Sequence, residues 1–282
     1  MRGHLRLAAL ALQVVAPIVP LQAQVTTAAR SDSLIPDSRL FVKSDLYVLA
    51  GFTAATVAMF PLDRSLASTI RRESLIDSRA LQNVEDVLNV IGGPAPVVIG
   101  GAMYVVGRVA DRPRLAHVAL HATEAMIVGL AMAGTLKVLV GRERPYASAD
   151  TTPHDFGLGR GFKGERYQAF PSGHATVSFA VAAAVLSESE AMSRGARWMV
   201  GSLLFASATV VGLSRMYADR HWASDVVMGA AIGTFAGLKT VRFNHTRTGN
   251  RVDRWLLGGR ATSLRVLPAA PGDWRLAVYV SW

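Results

Sequence analysis

Between residues 46 and 238, apolar positions gather into six segments. They run roughly Leu46–Phe60, Leu88–Val106, Leu115–Val140, Ala175–Leu186, Trp198–Leu213 and Val226–Leu238. None alternates with a period of two, and most are too long for strands, so the pattern predicts six helices. Crossing a bilayer takes about 20 apolar residues in a row. Only the second and third segments approach that length, and the third carries His117, His121, Glu124 and Lys137. The others are shorter and rich in Ala, Gly, Ser and Thr. That composition suits closely packed helices in a membrane or in a soluble bundle, and the pattern leaves both open.

The flanks read differently. Residues 1–24 have the order of a secretory signal: basic Arg2 and Arg6, an apolar run from Leu7 to Val19, then Leu21-Gln22-Ala23 as a cleavage site. An uncleaved membrane anchor is the other reading. Residues 25–43 form a polar, flexible lead, and 44–240 the helical domain. Residues 241–282 form a basic tail with a small β-hairpin, its strands Leu264–Leu267 and Trp274–Trp282. In the second strand Trp274, Leu276, Val278, Val280 and Trp282 fall on one face. The expected architecture is therefore all-α, a six-helix bundle followed by a hairpin.

Composition narrows the partners. Of 282 residues, 51% are hydrophobic and 18% charged, and 30 Lys+Arg against 20 Asp+Glu give a net charge of +10. The mean hydropathy of +0.29 lies between a soluble enzyme and a fully embedded transporter. A basic chain suits an anionic substrate or membrane surface. Nucleic acid is disfavoured, because the basic residues are spread along the chain without a basic helix or an aromatic-interleaved patch. With no cysteine there is no disulfide, thiolate metal site or cysteine nucleophile.

Chemistry-bearing residues sit at the ends of the apolar segments. His221 and Asp225 are four apart, so they share a face if Asp225 lies in the first turns of the last helix. A carboxylate there can hold one imidazole nitrogen and leave the other free to attack. Arg215, six residues earlier, has the planar fork that suits phosphate. A connector with solvated charges is the bland alternative. Lys137 and Arg144 are two helical turns apart and Pro145 stops the helix. The lysine either snorkels or meets an anion. Residues 146–170 form a long loop with Gly157, Gly159, Gly161 and Gly164. No strand precedes it, which argues against a nucleotide loop, and its length suits a lid. At Pro171-Ser172-Gly173-His174, Ser172 can cap the fourth helix and make an anion site. Gly173 permits close approach of a ligand, and His174 is placed to pass a proton. The stripe of His117, His121 and Glu124 lacks the HExxH order and reads as polar packing rather than metal ligation.

The motifs KxxxxxxRP, PSGH and SRxxxxxHxxxD thus occur in that order over residues 137–225. Here the chain resembles the type-2 phosphatidic acid phosphatase and vanadium haloperoxidase superfamily, with the helical pattern extending the resemblance to about 46–240. The resemblance implies a metal-independent, cofactor-free phosphatase. His221 would attack phosphorus to form a phosphohistidine, Asp225 would orient it, and His174 would protonate the leaving alcohol. Lys137, Arg144, Arg215, Ser172 and Gly173 would hold the phosphate oxygens. The expected substrate is a phosphate monoester or pyrophosphate, with lipids such as phosphatidic acid or an isoprenyl pyrophosphate favoured. The expected place is the cell envelope, membrane-embedded or membrane-associated, with the site facing the periplasm. A vanadium-dependent haloperoxidase and a non-catalytic phospholipid binder are the alternatives.

Overall fold

The computed structural model describes residues 39–71, 79–93, 95–148, 152–246, 251–257, 262–270 and 273–280. The signal segment and most of the polar lead lie outside the described residues. The helices are α1 (Lys43–Met59), α2 (Asp63–Ile70), α3 (Arg79–Gly92), α4 (Ala95–Val109), α5 (Pro113–Val140), α6 (Gly173–Glu188), α7 (Arg194–Tyr217), α8 (Ala223–Thr246) and α9 (Arg251–Leu256). Strands β1 (Thr262–Ala270) and β2 (Asp273–Val280) pair antiparallel.

Five of the six expected segments correspond to α1, α5, α6, α7 and α8, the first running one residue past α1 into the 3₁₀ turn at Phe60. The second does not form one helix. It is divided between α3 and α4, whose axes are bent by 49°, where the sequence Gly92-Gly93-Pro94-Ala95-Pro96 weakens and interrupts helical hydrogen bonding. The short α2 and α9 are also additional to the six. α2 follows a 3₁₀ turn at Phe60–Leu62 with Pro61 near its start, and its apolar positions are too few to mark it in the sequence. Local signals set the other ends. Pro113 opens α5 and Gly141 ends it in the left-handed conformation, its amide donating to the Lys137 carbonyl. Ser172 caps α6 and Ser193 caps α7, accepting from Ala175 N and Ala196 N at 3.4 and 3.3 Å.

α6 is the centre of the bundle, packed against α5, α7 and α8. A stripe of Gly229, Gly233 and Gly237 on α8 faces it. A Cβ at these positions would run into the Ser172, Thr176 and Ala180 carbonyl oxygens respectively. Only glycine lets the two backbones meet this closely, as in small-residue packing between membrane helices. The α6–α7 side is filled by an edge-on Phe179–Phe205 pair with ring centroids 5.8 Å apart.

Among the described residues, four stretches are long and apolar enough to cross a membrane: Lys43–Ile70, Pro113–Ala147, Arg194–Tyr217 and Ala223–Thr246. The bent α3–α4 pair is a further candidate. Large apolar side chains face outward on these elements, with Val98 69%, Leu203 69% and Met199 73% exposed. Such a surface is stable against lipid rather than water, and the helical body is membrane-embedded.

Candidate active site

The glycine stripe places the start of α6 against the start of α8. Ser172 N donates to the Asp225 carbonyl at 2.9 Å, and the Ser172 side chain is fully buried as the α6 cap. A Cβ on Gly173 would lie 3.8 Å from Lys137 Cε, so the lysine tip passes beside this turn. His174 follows, against the α3–α4 corner; a Cβ on Gly93 would lie 3.3 Å from its Nε2. Burial first, and the Arg215 charge second, push the His174 imidazole down to about 4, against the opposing Asn89 backbone.

His221 lies in the turn between α7 and α8, and is buried. Its Nδ1 is 2.7 Å from the Ala169 carbonyl oxygen. A carbonyl only accepts, so Nδ1 carries the proton and Nε2 keeps its lone pair. Asp225 Oδ2 stands 3.6 Å from the same Nδ1. At that distance it acts through charge, and the hydrogen bond that fixes the tautomer belongs to Ala169. Burial pushes His221 down to about 3, with the Lys137 and Arg144 charges adding to it and Asp225 opposing. The nucleophile candidate is thus neutral across the physiological range.

Asp225 is held independently of the histidine. Its Oδ2 accepts from Trp222 N at 2.8 Å and its Oδ1 from Arg142 Nη1 at 2.5 Å. Arg142 is completely buried and reaches Asp63 Oδ2 at 2.8 Å, Ser224 Oγ at 2.7 Å and the Pro153 carbonyl. Its guanidinium packs 5.1 Å from the Phe60 ring centroid and 4.9 Å from that of Phe156. Asp63 also accepts from Ser224 N at 2.9 Å. Arg142 and Asp63 did not stand out in the sequence. Arg142 lies inside the KxxxxxxRP spacing, and no periodicity marks a buried arginine whose partners are 79 and 83 residues away.

Three cations border the histidines, and each is oriented by a neighbour. Lys137 Nζ donates to the Gln168 carbonyl at 2.7 Å. Arg144 Nε donates to the Glu165 carbonyl at 3.0 Å. Arg215 Nη1 meets Glu85 Oε1 at 2.5 Å and Asn89 Oδ1 at 2.9 Å, while its buried Nε has no hydrogen-bond partner among the described residues. Glu85 and Asn89, on α3, were also missed, because α3 precedes the motif region. The described part of the 146–170 loop is stitched to the end of α5. Glu143 N donates to Asp155 O, Arg144 N to Arg166 O and Ala169 N to Arg142 O. It supplies backbone acceptors for Lys137, Arg144 and His221 rather than a phosphate-binding glycine turn.

All eight sequence-derived residues therefore lie at one end of the bundle, delivered by α5, the α6 start, the α7 end and the α8 start. Residues 118–249 match the PAP2 superfamily, and this span contains all three motifs. Over that span the chain is similar to the PAP2 superfamily, and its helical fold is like that of a PAP2-type structure. The first transmembrane PAP2 type phosphatidylglycerolphosphate phosphatase from Bacillus subtilis has a similar fold. Its TM-score is 0.52 at 19% identity, covering 74% of this chain and 99% of that one. Aquifex aeolicus LpxE aligns with a TM-score of 0.34 and 22% identity over 58% of this chain and 96% of that one. The lipid A 1-phosphatase of Porphyromonas gingivalis is 42% identical over 74 residues, 26% of this chain. That match spans 16% of the relative's length.

Proposed function

We propose that the protein is a membrane phosphatase that hydrolyses a lipid phosphate through a phosphohistidine on His221. The observation that carries this reading is the bond from His221 Nδ1 to the Ala169 carbonyl, which leaves Nε2 unprotonated with the Lys137 and Arg144 charges nearby. In the first step Nε2 bonds to phosphorus as the bond to the leaving oxygen breaks, and His174 gives that oxygen its proton. In the second, His174 takes a proton from water, whose oxygen attacks phosphorus and releases His221. The three cations, with the Ser172–Gly173 turn, hold the phosphate oxygens. Asp225 offsets the positive charge that the phosphorylated imidazole carries. Positioning and fixed charge are the main contributors to phosphoryl-transfer catalysis.

His174 needs a proton in the complex although it is neutral in the empty site. The bound phosphate dianion supplies the missing counter-charge and raises its proton affinity. The lipid part of the reading is supported by an apolar cavity of about 220 Å³ lined by Ile91, Met103, Met126, Val181 and Val211. A Cβ on Gly92 would meet both Val211 and His174, so the cavity begins beside the proposed acid. The matching stretch of lipid A 1-phosphatase agrees with this class of substrate. We further read the site as facing the periplasm, which the signal-like N-terminus supports; protease cleavage within 146–170 in spheroplasts tests the side.

The deciding experiment is phosphate release from phosphatidic acid and from isoprenyl pyrophosphate by the full chain in detergent micelles. His221→Ala is run in parallel and vanadate added as a mimic of pentacoordinate phosphorus. Release abolished by the substitution and inhibited by vanadate is expected. Equal release by His221→Ala overturns the mechanism, and vanadate-dependent halide oxidation without phosphate release overturns the function.

A further inference from the structure

A second polar cluster lies at the opposite end of the bundle. Along α5, His121 precedes Lys137 by sixteen residues, about 24 Å of helix. His121 is 2% exposed, yet its Nε2 makes no hydrogen bond among the described residues. Facing it at 3.4 Å is Asp253 Oδ2 of α9, and Asp253 Oδ1 is likewise buried without a hydrogen-bond partner. Glu124, one helical turn from His121, brings a carboxylate oxygen to the same place, and its Oε2 accepts from Asn244 Nδ2 at 2.5 Å. The donor atoms of His121, Glu124 and Asp253 all lie within 4.8 Å of one another.

The other nitrogen of His121 is held as a metal-ligating histidine requires. Nδ1 is 2.6 Å from Glu188 Oε1, which also receives His245 Nε2 at 3.0 Å. A carboxylate on Nδ1 orients the ring with Nε2 toward Glu124 and Asp253, so that an ion displacing the Nε2 proton would find a nitrogen and two carboxylates facing one point. Among the described side chains, no lysine or arginine is ion-paired to Glu124, Glu188 or Asp253. Partly buried carboxylates gathered with only histidines as counter-charge are costly. α9 is fastened over this point, because Tyr104 and Arg108 of α4 donate to the Leu256 and Leu257 carbonyls.

We propose that His121 Nε2, Glu124 and Asp253 bind a divalent first-row metal ion, with Glu188 orienting His121. Imidazole with carboxylates is a donor set that suits zinc and its neighbours. With legs of about 2.1 Å, an ion bridges donors up to about 4 Å apart, so small side-chain adjustments close the set. The site ties α9 to α5. It is remote from the phosphate cage and takes no part in the reaction there. It also gives a use to the His121–Glu124 stripe, which the sequence reading took for packing.

The test is metal content and affinity of the full chain in detergent. After chelator dialysis it is titrated with zinc alone, and with cobalt alone as a spectroscopic probe. About one ion per chain is expected, with visible cobalt absorption of a nitrogen–oxygen site. Asp253→Asn, conservative and on the rim, should retain the elution profile and helical circular dichroism of the parent yet lose the ion. Glu188→Gln should weaken zinc affinity roughly 10–100-fold, as loss of an orienting partner does. His117→Gln, whose ring centroid is 5.9 Å from that of His121 but which is not a proposed ligand, should bind as the parent does. Absence of stoichiometric binding by the parent, or parent-like binding by Asp253→Asn, overturns the proposal.

Discussion

Arg142 Nη1 holds Asp225 Oδ1 at 2.5 Å with both side chains fully buried, so the carboxylate facing His221 is committed to an arginine before any substrate arrives. The same guanidinium neutralises Asp63. Removing the arginine leaves two uncompensated carboxylates in the interior, a change that costs about 3–5 kcal/mol for a buried pair. Arg142→Met should therefore lower the melting temperature sharply, and adding Asp63→Asn should restore part of the loss. Thermal melts of the three proteins in the same detergent check this. A single variant that melts like the parent refutes the network.

The two histidines should fail in different ways. His221→Ala should abolish both turnover and the acid-labile phosphoenzyme. His174→Ala should slow esters with poor leaving groups strongly. A nitrophenyl phosphate, whose leaving group hardly needs a proton, should be affected far less. Acid-quench trapping with labelled substrate reads the intermediate; label on His174, or label persisting in His221→Ala, reverses the assigned roles.

Both histidines are held neutral in the folded, empty site, near 4 for His174 and 3 for His221 against an ordinary 6.5. Between pH 6.5 and about 4 the unfolded chain binds more protons than the folded one at these two positions. Stability contributed by them is therefore complete above 6.5 and falls as the pH drops through this window. The expected result is a melting temperature that declines from pH 7 to 4.5. The decline should be shallower in His174→Gln, which removes one of the two titrations. An unchanged slope in that variant contradicts the assignment.

Gly233 and Gly134 are both helical glycines with opposite surroundings. A Cβ at 233 would lie 2.2 Å from the Thr176 carbonyl oxygen, whereas one at 134 would meet nothing within 4 Å. Gly233→Ala should push α8 from α6, cost about 1–3 kcal/mol as overpacking does, and reduce turnover by separating Asp225 and Ser172. Gly134→Ala should be neutral or stabilising by up to about 1 kcal/mol through helix propensity. Paired melts and initial rates decide, and equal effects at the two sites would contradict the close packing of α8 on α6.

The chain's own pattern determined where the long helices lie and that chemistry gathers at their ends. Length and apolar content marked α1, α5, α6, α7 and α8. Pro145, Ser172 and the i, i+4 spacing of His221 and Asp225 are local features that a linear reading resolves. The Gly92–Pro96 break was present in the sequence, but an apolar run continues on both sides and hid it. Tertiary structure alone decided which neighbour does what. The acceptor for His221 Nδ1 is the backbone carbonyl of Ala169, a group every residue possesses and no side-chain motif can signal. Asp63, Glu85, Asn89 and Arg142 reach the site because a glycine stripe and a bent α3–α4 corner bring distant segments into contact. His121 meets Glu188, His245 and Asp253 for the same reason: ligation and ion pairing depend on distance in space, which sequence spacing encodes only within a single helix.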